Sequence, residues 1–309
     1  MSQHAGQNKP RTVDELLDPR LVSRLSGLDI ASRKVFRGKV KGERRSKRRG
    51  ESVEFADHRP YVVGDDLRHV DWNIYGRLDR LFLKLYQEEE DLSLHLVLDC
   101  SGSTDFGQPN KFVYMQRVAM ALGYVGLVNL NRVSATAIAR SEDSTGVLGG
   151  VQNLRGRRRL HELGRWLCSL VPGGDLPFTD ACRRIALSRS GRGVMVLLSD
   201  LLVKEGYQDG LRLLAGRGYD LVVVQVLSPQ ELEPSLGGDV RLRDVEDRDH
   251  AEVTISAPLL RRYRRVVESY LREAHAFCTA RGIVHLSVSS DRPVESLLLE
   301  DLRGRGVLR

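Results

Sequence analysis

The chain lacks most of the features that mark specialised proteins. It has four cysteines in 309 residues, Cys100, Cys168, Cys182 and Cys278, and no CxxC or CxxH pair. That spacing offers neither a disulfide framework nor a zinc knuckle and suits a reducing cytoplasm. Aromatic residues make up only 6% of the sequence and are almost absent from the basic runs Arg33 to Arg49 and Arg157 to Arg159. Single-strand binding needs such stacking platforms, so nucleic acid is kept only as an alternative partner, although a net charge of +7 would permit it. Long apolar runs are missing too. The longest nearly uncharged stretch, Gly193 to Val203, falls well short of the roughly 20 residues a bilayer crossing requires, so no membrane span is expected. The opening MSQHAGQNKPR has no apolar run behind its basic residue, which excludes a secretory signal and reads as a disordered tail over residues 1–12. No GxxxxGK[ST] or GxSxG occurs, which argues against P-loop hydrolysis and an elbow-type serine nucleophile.

What is present falls into two further segments, 13–91 and 92–309. In the first, Leu16, Leu17, Leu21, Leu25 and Leu28 have helical spacing, GKVKGERRSKRRG reads as a solvated loop, and Ser52 to Glu90 reads as a small subdomain ending in a strand with alternating Leu81, Leu83 and Leu85. In the second, LSLHLVLD, RVSATAIA, GVMVLLSD, DLVVVQVLS and IVHLSVSS are short apolar runs joined by helix-length segments. Runs apolar on both faces imply a mainly parallel sheet covered on both sides, a doubly wound α/β fold. Phe112, Met115, Val118, Ala119, Leu122 and Val125 mark one helix face. Tyr263, Val266, Tyr270, Ala274 and Phe277 mark another, opened by Pro258 and closed by Gly282. VRLRDVED and AEVTIS fit a peripheral hairpin.

Two of the five runs end in carboxylates, Asp99 and Asp200, at the strand edge where doubly wound sheets bind ligands. No base stands beside either in the sequence, and two such charges in a partly dry crevice repel by about 1–4 kcal/mol at 4 Å. A cation resolves that conflict. After Asp99 the loop CSGST places hydroxyls at Ser101 and Ser103, hard oxygen donors that suit Mg²⁺ rather than zinc. Taken singly, Ser103 and Thr104 read as helix caps, Thr179 as a cap and Asp200 as a turn residue. Taken together, they point to metal.

The D-x-S-x-S loop of Asp99, Ser101 and Ser103 resembles the metal-ion-dependent adhesion site of von Willebrand factor A domains. By that resemblance, Thr179 in GGDLPFTDA and Asp200 in LLSDLL complete the ligand set. It implies Mg²⁺, or Mn²⁺ or Ca²⁺, with one position free for an acidic residue of a protein partner. The serines and threonine are the expected direct ligands and the aspartates act mainly through water, although sequence leaves open which residues bind directly.

Upstream, Glu54, Phe55, Arg59, Tyr61, Gly64, Asp65, Asp66, Arg68, Asp71, Trp72 and Arg77 resemble the signature of the bacterial domain-of-unknown-function 58 family, with departures at Gly76 and Thr104. The resemblance implies a MoxR-type AAA+ ATPase as partner in a chaperone-like or assembly complex. Read from the residues alone, the signature is largely structural: Gly64 suits a turn, Asp65 or Asp66 caps LRHVDWNIY, and Trp72 anchors the segment to the main domain. The interleaved arginines and aspartates allow an ion-pair network, and His58 and His69 read as partners rather than ligands. A dehalogenase-type phosphatase would need an acid where Ser101 stands. A nuclease built on Asp65, Asp66 and Asp71 rests on an unspecific pattern. The expectation is a non-catalytic, metal-dependent, protein-binding module.

Overall fold

A computed structural model describes residues 9–32, 54–63, 65–67, 70–87, 92–139, 146–174, 177–188, 193–216, 218–234, 238–243 and 250–309. The expected basic loop over 33–49, the first eight residues of the expected tail, and Gly64, Arg68 and His69 lie outside them. Of the tail, Pro10 is buried and Lys9 lies 3.3 Å from Asp105.

The chain divides into two units, 38–91 and the remainder. Helices α1 (Val13–Leu16) and α2 (Pro19–Leu25) are short and capped, with the Thr12 side chain accepting from Glu15 N–H and Asp18 from Arg20 N–H. They were grouped by sequence with the small subdomain. Instead their apolar face, Leu16, Leu25, Leu28 and the following Ile30, lies in the main hydrophobic core beside Leu94 and Phe112. Helices this short bury too little to stand alone and need a larger apolar surface.

In the small unit, β1 (Glu54–Pro60) and β2 (Phe82–Gln87) pair antiparallel, and α3 (Trp72–Leu78) lies between them in sequence. Its cap is Asp71, which accepts from Asn73 and Ile74 N–H, rather than Asp65 or Asp66. Asp65 ties a turn by accepting from Arg59 and from Val62 N–H. His58 lies 3.0 Å from Asp71, a partner as expected. Trp72 is 61% exposed and meets Tyr75 edge-on within its own helix.

The larger unit runs β3 (Ser93–Asp99), α4 (Lys111–Val128), β4 (Arg132–Ile138), β5 (Val147–Leu154), α5 (Leu160–Ser169), α6 (Phe178–Ser188), β6 (Gly193–Ser199), α7 (Gln208–Ala215), β7 (Tyr219–Leu227), α8 (Pro229–Leu232), β8 (Gly238–Arg243), β9 (His250–Ile255), α9 (Ala257–Thr279), β10 (Val284–Ser289) and α10 (Val294–Ser296). Sheet order is β10-β7-β6-β3-β4-β5, parallel except for the antiparallel β4–β5 pair, and β8–β9 form the expected hairpin. Edge strand β5 is absent from the apolar-run reading.

Leu94, Leu96 and Leu98 point to a core shared with α4 and α5, while Val97 points to one shared with α6, α7 and α9. Burial on both faces explains the unbroken apolar runs. It also corrects the one-faced reading of α4, whose Lys111 and Gln116 are buried along with its apolar residues. The fold is doubly wound α/β, a mainly parallel sheet covered on both faces. The chain leaves β3 toward β4 on one side and returns to β6 on the other, so the order reverses at the β3–β6 pair.

Candidate functional site

Asp99 and the residue after β6, Asp200, lie at that reversal, 1% exposed each. Each oxygen of the Asp99 carboxylate accepts one hydrogen bond and keeps a second lone pair: Oδ1 accepts from Ser101 N–H at 2.9 Å and Oδ2 from the Ser199 hydroxyl at 2.6 Å. Burial, and then the charge of Asp200, push the Asp99 carboxyl up to about 7. The two acids therefore converge, as the strand pattern requires.

The loop after β3 forms one 3₁₀ turn over Gly102–Thr104. Thr104 donates its hydroxyl to Ser101 C=O at 2.7 Å, and the Ser101 and Ser103 hydroxyl oxygens lie 3.0 Å apart. Neither Ser103 nor Thr104 caps α4, because Asn110 does so by accepting from Val113 N–H. The loop before α6 packs on this turn, with Gly102 N–H donating to Gly174 C=O and Gly173 N–H to Cys100 C=O, both at 2.8 Å. Thr179 is half-buried in the first turn of α6. Its N–H donates to Glu205 at 3.3 Å, and among the described residues no hydrogen bond joins it to the serine pair.

The reading of both aspartates as lacking a base is corrected by Lys111. Its ammonium is wholly buried and donates to Asp200 Oδ2 at 2.8 Å and to Glu231 Oε1 at 2.6 Å. Burial alone would lower the lysine's pKa, but the charges of Asp200 and Glu231 outweigh it and hold Lys111 above its ordinary value. Glu231 is pinned by its other oxygen, which accepts from Ser228 N–H at 2.7 Å within a capping box. A faint signal for Lys111 was in the sequence. It opens a mostly apolar helix, with no acid in the first turn, at the end where the helix dipole disfavours a cation.

The Asp200 turn is held from several sides. Oδ1 accepts from Leu202 N–H at 3.0 Å, Gln225 donates to Asp200 C=O at 3.0 Å, and Leu201 N–H donates to the Ser199 hydroxyl at 2.9 Å. Leu201 takes φ +57°, a region that disfavours a branched side chain, and Tyr270 of α9 donates its hydroxyl to Leu201 C=O. Ser199, Gln225 and Glu231 have no place in the sequence reading because nothing local marks them, and Tyr270 enters it only as part of a helix face.

The donor set can be tested against a hard divalent ion. Neighbouring ligands in an octahedron with bonds of roughly 2.0–2.1 Å are about 2.9 Å apart. The serine oxygens are 3.0 Å apart, and burial, then the charge of Asp200, raise the Asp99 carboxyl beside them. Ser101, Ser103 and Asp99 fit. Asp200 fits as a charge it shares with Lys111.

The profile of the family described as "Protein of unknown function DUF58" matches residues 57–273. An uncharacterised protein of Mycobacterium tuberculosis is 27% identical over 283 residues, covering 89% of this chain and 86% of that protein. Among solved structures, the chain is similar to BatB of Bacteroides thetaiotaomicron at 12% identity and TM-score 0.40, covering 69% of this chain and 98% of that one. It is also similar to a von Willebrand factor type A structure from Catenulispora acidiphila at 12% identity and TM-score 0.37, covering 73% and 43%. Among the described residues, no helix is long and apolar enough to cross a membrane.

Proposed function

Because the chain belongs to the family described as protein of unknown function DUF58, we propose from its site a non-catalytic, metal-dependent protein-binding adaptor that captures an acidic residue of a partner and acts with a MoxR-type AAA+ ATPase. The observation that carries this reading is the 3.0 Å spacing of the Ser101 and Ser103 hydroxyls beside buried Asp99. Ser101 and Ser103, with Thr179 on the resemblance alone, would hold Mg²⁺, and Asp99 and Asp200 would supply charge. When bound, the ion offers a coordination position for a carboxylate. The chain's own groups do the rest: the hydrogen bonds from Ser199 and Ser101 orient Asp99, and the anchored turn keeps Asp200 in register. The ATPase partner rests on the signature resemblance alone, and the excess basic charge favours encounter with an acidic surface.

The test is a melting curve of the full chain with Mg²⁺ or Mn²⁺, then with EDTA, beside binding of a purified MoxR-type ATPase. An ion at 100 times its dissociation constant adds about 2.7 kcal/mol of stability. Divalent ions are expected to raise Tm, chelation to reverse it, and Asp99→Ala to remove both the shift and ATPase capture. If no divalent ion moves Tm at any concentration, the metal-dependent reading is wrong. A steep salt dependence of DNA binding that ignores Asp99→Ala would favour nucleic acid instead.

A further inference from the structure

Lys111 does more than fill space. Its ammonium is wholly buried between Asp200 and Glu231, and the ring of Phe106 has its centroid 6.0 Å from the charge. Its helix position works against it, since a cation at the first residue of α4 opposes the helix dipole. The two carboxylates, one of them at the strand-end crevice, are what keep it there. Any divalent ion beside the Ser101 and Ser103 hydroxyls would draw on Asp200, and so does the ammonium.

We propose that Lys111 is a built-in competitor of the metal: a resident cation that balances Asp200 when no ion is bound and sets how tightly a divalent ion is held. This rests on the metal-binding reading above. Two cations drawing on one carboxylate weaken each other's binding reciprocally. The site thereby keeps its geometry without metal, at the expense of affinity for it.

The experiment is a calorimetric Mn²⁺ titration of the full chain, with melting curves with and without Mn²⁺. Wild type is compared with Lys111→Met, Lys111→Gln and Lys9→Gln, with Asp99→Ala as the blank. Lys111→Gln retains a hydrogen-bonding amide should the methionine variant fold poorly, and Lys9→Gln removes the same charge from a half-exposed pair with Asp105 in the same loop. Both Lys111 variants are expected to melt lower than wild type without Mn²⁺, to gain more from its addition, and to bind it at least ~10-fold more tightly. Lys9→Gln is expected to change affinity less than about twofold, as screening at the surface requires. A folded Lys111 variant that binds Mn²⁺ no better than wild type overturns the proposal while leaving the metal reading intact. An equal gain from Lys9→Gln overturns it too, because general charge then explains the effect. No Mn²⁺ binding by any of these proteins overturns the metal reading and, with it, this inference.

Discussion

Ser199 makes its hydroxyl serve twice, donating to Asp99 and accepting from Leu201 N–H, in a position with no solvent exposure. Ser199→Ala would leave a buried carboxylate oxygen and a buried N–H short of a partner each, at about 1–3 kcal/mol. Urea unfolding should show that loss with an unchanged slope. His285 gives a pH signature of its own. It is buried, its Nε2 lies 3.1 Å from Gln225 Oε1, and burial, then His275 and Arg305, lower its pKa from 6.5 to about 4. The folded state therefore resists a proton that the unfolded chain accepts. This contribution is fully present above pH 6.5 and is lost as pH falls toward 4, by on the order of 3 kcal/mol. The unfolding free energy of His285→Gln should fall less than that of wild type across that window. At this scale the sequence was legible where side chains repeat at fixed spacing, as in Asp99, Ser101 and Ser103. It was silent where a partner comes from far along the chain: Glu231 meets Lys111 from 120 residues away.

Strands whose faces are both buried announced themselves, and β3, β4, β6, β7 and β10 all stand where their apolar runs place them. Strand β5 did not, because it is an exposed edge with a VLGGVQNL sequence that looks like a loop. Its Gly150 is there for contact: a Cβ at that position would lie 2.1 Å from Ala135 C=O in β4. Gly150→Val should therefore break the β4–β5 pairing and destabilise by about 1–3 kcal/mol or more, with faster amide exchange confined at first to that edge. Loss of protection across the whole sheet instead would show β5 to be part of its central cooperative unit. Helix α4 taught a different lesson. Its periodic face was real, but the remaining face is buried as well, so amphipathic reading understated its place in the core.

Across the whole molecule, the first described helices belong to the sheet unit, and the chain's far end meets them. Asp29 N–H donates to Arg309 C=O and Ala31 N–H to Val307 C=O, at 3.0 and 2.8 Å. Leu16, Leu17, Leu25, Leu28 and Ile30 are all buried there. At about 1.5–3 kcal/mol per buried side chain, they contribute on the order of 10 kcal/mol, comparable with the ~5–15 kcal/mol that holds a typical domain together. A fragment beginning at residue 92 should accordingly be protease-sensitive and lack a cooperative melt, whereas restoring residues 9–32 should recover one. This arrangement was hidden because leucine spacing reveals a helix but not the surface that receives it.

The position of the small unit in the chain has a practical consequence. In the small unit, Glu54 and Gln87 face each other across β1 and β2, so its described strands begin and finish side by side. In the sheet unit, the Ser32 hydroxyl lies 3.5 Å from Gly193 C=O, and Gly193 is in register with Ser93, so residues 32 and 93 are neighbours as well. A brief glycine–serine link from residue 32 to residue 92 should therefore close the sheet unit without stretching either end. Melting that shortened chain beside the intact one would read the stability of the sheet unit by itself.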